Sequence, residues 1–263
     1  MDDRTQFTMA IAREAGDFLK ERLHARHAIE YKGEINIVTE EDRLSEGMIV
    51  SRIRGRYPDC DILAEESTRM MSGSSCRWII DPLDGTTNYA HGYPVFCVSI
   101  ALEDEGEIRL GVVYNPMLDE MFVAEKGGGA YSNGRKIAVS DTDNLSRSLL
   151  ATGFPYDIRT DRNNNINYFN GMAKRAQAIR RAGSAALDMA YVAAGRFDGF
   201  WELKLMPWDT AAGWLLISEA GGVVTDIAGN AFRLDSPHIL ATNGKIHQTM
   251  IEILRHIDNE GPA

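Results

Sequence analysis

The stretch Trp78–Gly92, WIIDPLDGTTNYAHG, decides how this chain is read. Its apolar run Trp78–Ile80 has the character of a buried strand. The run ends in Asp81 and Asp84, with Pro82, Gly85, Thr86 and Thr87 packed among them. Proline cannot donate to a strand ladder, so the strand is predicted to stop at Asp81. Gly85 admits a positive φ, and Thr86 and Thr87 can cap a helix starting just afterwards. Carboxylates at a strand end, facing the free N–H groups of a helix, would suit a divalent cation holding a phosphate. Asp-Pro-x-Asp-Gly is equally good turn chemistry, so these residues alone leave both readings open. An EF-hand is excluded, because its loop needs acids at alternate positions, Gly at the sixth and Glu at the twelfth.

Two distant segments carry matching chemistry. Glu65 and Glu66 close DILAEES, another short apolar run, and adjacent exposed acids are ordinarily a solvated loop. Their position after a strand raises the functional reading, since strand ends on one sheet edge can converge. In PWDTAAGWLLISEAGGVVTD, Asp209 falls in the first turn of a helix, where the macrodipole alone would favour an acid. The small run Ala211-Ala212-Gly213 allows close backbone approach, so that helix start could form a pocket floor.

The rest of the chain frames these candidates. At 263 residues and 44% hydrophobic it can bury a full core, and a net charge of -10 argues against nucleic acid or anionic lipid as a partner. A negatively charged substrate then needs a local cation. The N-terminus lacks the pattern of a secretory signal, and no run approaches a membrane span. Cys60, Cys76 and Cys97, an odd number in unrelated contexts, lack the C-x-x-C spacing of a zinc or redox site, and a reducing cytoplasm is the simplest compartment. Apolar spacing predicts helices over 7–23 and around 44–53, then a meander of antiparallel strands through 96–137 with Asn133-Gly134 as a hairpin turn. A polar loop over 155–167 follows. Helices over 168–178, 185–194 and 208–220 then alternate with strands at FDGFWE, GGVVTD and HILATN. With no composition break, the chain reads as one unit over 1–263, with halves of about 1–145 and 146–263. GGGAYSNGRK reads as a hairpin and not a phosphate loop, and His91 as a loop histidine.

Taken together, WIIDPLDGTTNYAHGYPVFCVSIAL, PWDTAAGWLLISEAGGVVTD, NIVTEED, AEES and RRAGSAALDMAYVAAGRFDGFWE resemble, in order and spacing, the motifs of the inositol monophosphatase family of metal-dependent, lithium-sensitive phosphatases. The resemblance implies an α/β (α+β) fold, a layered α-β-α-β-α sandwich with two sheets, and a homodimer. It implies two or three Mg²⁺ ions and a metal-activated water that attacks phosphorus in line. Glu65, Asp81 and the Leu83 carbonyl would hold the first ion, and Asp81, Asp84 and Asp209 the second. Hard oxygen donors suit Mg²⁺, and a shared Asp81 can bridge two cations about 3.5–4 Å apart.

By the same resemblance, Thr86 would orient the attacking water while Asp42 accepts the Thr86 hydroxyl proton in a hydrogen bond, with Glu65 as a further catalytic group. Gly85 and Thr86 N–H groups would hold phosphate oxygens, and Asp84, Gly183, Ala185, Glu202 and Asp209 the substrate. Met206 stands where animal inositol enzymes tend to carry His, which opens the identity of the alcohol. The implied reaction is hydrolysis of a small polyol phosphate, foremost inositol 1-phosphate. Rivals on the same scaffold are fructose-1,6-bisphosphatase, histidinol-phosphate phosphatase and adenosine 3′,5′-bisphosphate phosphatase. A rival of another class is a non-catalytic, metal-binding regulatory protein.

Overall fold

Two helices lie near the start of the chain in the computed structural model, which describes residues 2–25, 28–66 and 69–260. Asp2 caps α1 (Asp3–Arg22) by accepting the Thr5 N–H at 2.8 Å, and the helix buries Ile11, Ala15 and Leu19 on one side. A short antiparallel hairpin, β1 (Ile29–Tyr31) and β2 (Ile37–Thr39), leads into α2 (Glu40–Arg56).

These helices cover one face of an eight-stranded sheet. It contains β3 (Asp61–Ala64), β4 (Arg69–Met70), β5 (Cys76–Asp84), β6 (Cys97–Asp104), β7 (Glu107–Asn115), β8 (Glu120–Glu125), β9 (Gly129–Ser132) and β10 (Arg135–Lys136). The spatial order is β10-β9-β8-β7-β6-β5-β3-β4. Only β3 and β5 run parallel; the other pairs are antiparallel, and β6 through β10 form the expected meander. Between β5 and β6 lies the short helix α3 (Thr86–Ala90). Alternation sorts the sheet's side chains, so Trp78 and Ile80 pack toward α1 and α2 while Ile79 faces the opposite way. Each such fully buried side chain contributes roughly 1.5–3 kcal/mol.

A second, five-stranded sheet is built from β11 (Leu149–Thr152), β12 (Ala178–Arg180), β13 (Gly199–Leu203), β14 (Val223–Thr225) and β15 (His238–Thr242), in the order β12-β11-β13-β15-β14. α5 (Ala185–Ala193) and α6 (Pro207–Glu219) fill the space between the sheets, while α4 (Ile166–Ala173) and α7 (His247–Glu260) cover the outer face. The result is the expected α-β-α-β-α layering.

Several expectations need correction. β5 does not stop at Asp81: it continues to Asp84 through a register shift, with Asp81 opposite Ser99 and Asp84 opposite Cys97. Pro82 falls inside that irregularity, where a missing N–H costs no ladder bond. Gly85, at φ +104, is itself the N-cap of α3, and Thr86 is the helix's first residue. A Cβ at Gly85 would also stand 2.9 Å from the Val95 carbonyl oxygen. The helix expected over 168–178 ends at Ala173, and Ala178–Arg180 instead pairs in parallel with β11. α7 has no counterpart among the sequence expectations, although Ile246, Met250, Leu254 and Ile257 fall at helical spacing and are buried.

Two of the cysteines that stand in unrelated sequence contexts meet in the fold: Cys60 and Cys76 form a disulfide, and Cys97 is free and buried. The cause is topological. Asp61 pairs with Arg77 in the parallel β3–β5 register, so the residues just ahead of them meet side by side.

α6 lies directly on β7. A Cβ at Gly111 would stand 2.8 Å from the Ala212 carbonyl oxygen, the close approach that the small run 211–213 suggested. Gly111→Ala is therefore expected to cost about 1–3 kcal/mol of stability by pushing helix from sheet. Urea denaturation measures it, and an unchanged midpoint would refute the contact.

Candidate metal centre and substrate cleft

The parallel register of β3 and β5 sets Ala64 opposite Ile80, so Glu65, just past the end of β3, and Asp81, next along β5, emerge side by side. The Glu65 N–H fixes that exit by donating to the Ile80 carbonyl at 3.2 Å. The β5 irregularity then turns Asp84 toward α5, and α6 brings Asp209 from its first turn.

Three aspartates share one arrangement: a backbone N–H grips one carboxylate oxygen, and the other takes no hydrogen bond from a described residue. Asp81 Oδ1 accepts the Leu83 N–H at 3.0 Å. Asp84 Oδ2 accepts the Ala186 N–H at 2.7 Å and the Ser184 hydroxyl at 2.6 Å, and the Cys97 thiol lies 3.7 Å away. Asp209 Oδ2 accepts the Met206 N–H at 2.6 Å. Beside them, the Thr86 hydroxyl donates to Asp42 Oδ1 at 2.8 Å, and the Leu83 carbonyl oxygen is 3.2 Å from the same hydroxyl. Asp42 is fixed in turn at the start of α2, where its Oδ2 accepts the Thr39 N–H at 2.7 Å and hydroxyl at 2.6 Å.

Burial and mutual repulsion make this cluster electrostatically expensive. Asp81 is held well above the usual carboxylate range by burial and by the charges of Glu65, Asp84 and Asp209. Burial and the charges of Asp84 and Glu65 do the same to Asp209, and burial raises Asp84 against its hydrogen bonds. Glu65 is pushed up to about 7 by burial, with Lys32 opposing. That lysine bonds Glu65 at 3.2 Å and Glu66 at 2.6 Å. Among the described residues, no three His, Cys, Asp or Glu side chains are already gathered at ligating distance. The donor set nevertheless fits a hard divalent cation: anionic oxygens, each aspartate with one oxygen anchored and one unengaged.

A cleft of roughly 550 Å³ opens over these groups. Of the sequence candidates, Glu65, Asp81, Leu83, Asp84, Gly85, Thr86, Gly183, Ala185, Glu202 and Asp209 all line it. Asp42 does not; it lies fully buried behind Thr86. Exposed His91 closes α3 away from the cleft. Glu202, on the face of β13 that carries Phe200, is pushed up to about 8 by burial and the Asp84 charge, with Arg181 opposing. Its carboxylate fills the space a Cβ on Gly153 would take, 2.1 Å from Oε1.

The cleft also holds residues that sequence reasoning missed: Lys32, Tyr156, Arg181, Asp188 and Lys204. Lys204 sits in the left-handed region at φ +60 and ties down the loop beside Tyr156 by bonding Asp157 at 2.7 Å and Asp161 at 2.6 Å. Its signal, a lone lysine after a strand, is too common to be found from sequence.

Comparison with known proteins places this geometry among relatives. A profile of the inositol monophosphatase family matches residues 1–259. The inositol-1-monophosphatase of Synechocystis sp. is 48% identical over 221 residues, covering 83% of this chain and 77% of that protein. The Nus factor SuhB of Escherichia coli is 41% identical over 247 residues, covering 93% and 92%. The crystal structure of the extragenic suppressor protein suhB from Bartonella henselae superposes with a TM-score of 0.91 at 39% identity, covering 97% and 99%.

The raised carboxylates carry a sign that can be tested. A group that binds its proton more tightly when folded stabilises the fold at low pH and loses that contribution as pH rises. For Glu65 the loss runs from its ordinary 4.5 to about 7, and for Glu202 from 4.5 to about 8. The chelator-treated protein should therefore show a Tm that falls between about pH 5 and about pH 8, with an added divalent cation restoring more at the upper end. A Tm that climbs across that window would contradict the cluster.

Proposed function

The chain belongs to the inositol monophosphatase family and is a phosphoric monoester hydrolase, and from that premise we propose that it hydrolyses a small polyol phosphate, foremost inositol 1-phosphate, with Mg²⁺. The observation that carries this reading is the anchoring of Asp81, Asp84 and Asp209 by one oxygen each, beside the Thr86–Asp42 hydrogen bond.

Glu65, Asp81 and the Leu83 carbonyl would hold one Mg²⁺, and Asp81, Asp84 and Asp209 a second. Bound there, such ions would supply charge to offset the phosphate's, a lowered pKa for a water and a counter-charge for the leaving alkoxide. Thr86 orients the attacking water through its hydroxyl, and Asp42 holds that hydroxyl by accepting its proton. Gly85 and Thr86 direct N–H groups to phosphate oxygens. Ala185, Gly183 and Glu202 receive the alcohol. This complete set favours catalysis over a purely regulatory metal-binding role, since a binding module has no use for an aligned hydroxyl–carboxylate pair. The Nus-factor name of the Escherichia coli relative leaves room for a second role in addition to hydrolysis.

Release of inorganic phosphate from inositol 1-phosphate, with and without Mg²⁺ after chelation, tests the reading. Folded protein that releases phosphate from no phosphomonoester in a panel would sink it. Thr86→Ala is expected to lower kcat by about 10²–10⁴-fold with KM nearly unchanged, because it disturbs the water and not the cation cage. A rise in KM alone would count against that role.

A further inference from the structure

α5 reads AALDMAYVA, and Asp188 is its one charged residue, buried to 1% exposure among Leu187, Met189 and Ala190. Its Oδ1 is buried without a hydrogen-bond partner among the described residues, yet the residue lines the cleft. Buried polar atoms are almost always paired in native proteins, so a cleft-wall carboxylate with no protein partner for its inner oxygen needs a function. Placement supplies one. The Asp188 N–H donates to the Ser184 carbonyl at 3.0 Å, so Asp188 stands one turn along from Ser184, on the helix face that presents Ser184 and Ala185 to the cleft. The charges reaching it are those of Glu202, Asp84 and Arg181, all cleft residues. Arg181 itself makes no hydrogen bond or ion pair with a described side chain, and its guanidinium lies 6.0 Å from the Phe154 ring.

We propose that Asp188 is a specificity-determining residue for the alcohol half of the substrate, its carboxylate hydrogen-bonding a ring hydroxyl of a polyol whose phosphate lies over Asp81, Asp84 and Asp209. The role rests on the phosphomonoesterase reading above and adds to Glu202 a second carboxylate in the cleft. Its consequence is selectivity: an alcohol without hydroxyls beyond the ester carbon leaves Asp188 unpaired, and a site built around a polar group discriminates against ligands that cannot satisfy it.

The test compares kcat/KM for inositol 1-phosphate and for 4-nitrophenyl phosphate, at saturating Mg²⁺, in wild type, Asp188→Asn and Asp188→Leu. The Leu variant should lose about tenfold or more on the polyol ester beyond any loss on the aryl ester, and the isosteric Asn variant should move the ratio the same way by about threefold. A folding failure in the Leu variant leaves the Asn ratio to decide, with Tm as the check on its fold. An unmoved ratio, with both esters falling equally or neither falling, overturns the specificity role and assigns Asp188 to structure alone. Wild-type turnover of neither ester is a different result: it removes the phosphatase reading and this role with it.

Discussion

The grip of Asp84 on the start of α5 is the contact from which the cleft is organised. One carboxylate oxygen joins the end of β5 to the Ser184 hydroxyl and the Ala186 N–H, a hundred residues further along the chain. A buried acid with no cation beside it would ordinarily be costly, and hydrogen bonds from a helix N-terminus are among the few neutral partners that lower that cost. Because the same side chain both ties the large sheet to the central helices and faces the cleft, position and chemistry cannot vary independently. Asp209, held by the Met206 N–H, repeats the device on α6.

What could be read in advance was local chemistry. Asp81, Asp84 and Gly85 announce a turn at a strand end because proline, glycine and acids at that spacing restrict the backbone in only a few ways. Asp209 in a first helical turn and the small residues after it could be placed by the same logic. The five-layer architecture followed from the family motifs, and the meander from alternation through 97–136.

The hidden part was long-range. No local pattern marks Cys60 and Cys76 as partners; they meet because β3 and β5 run parallel in a particular register. Lys32 directly follows β1, a strand whose three residues are all exposed, so nothing in its surroundings hints that it reaches Glu65. Asp188 looks like a stray polar residue in an apolar helix, and only the folded cleft distinguishes it from an error of patterning. Pro82 misled for the opposite reason: its rule is sound for a regular ladder, and the ladder there is irregular.

The large sheet ends on both sides in a two-residue strand, β4 and β10, and both carry basic side chains, Arg69 on one and Arg135 and Lys136 on the other. Long, flat, unpaired edges template pairing with other chains, whereas short edges bearing charge offer too few free N–H and C=O groups to extend. The outer strands of the smaller sheet, β12 and β14, are three residues each. An architecture with two broad sheets thus presents almost no ladder for strand addition. Self-association of this molecule is thereby steered to side-chain surfaces, where partners can be chosen by shape and charge, and away from the indiscriminate backbone pairing that leads to fibres.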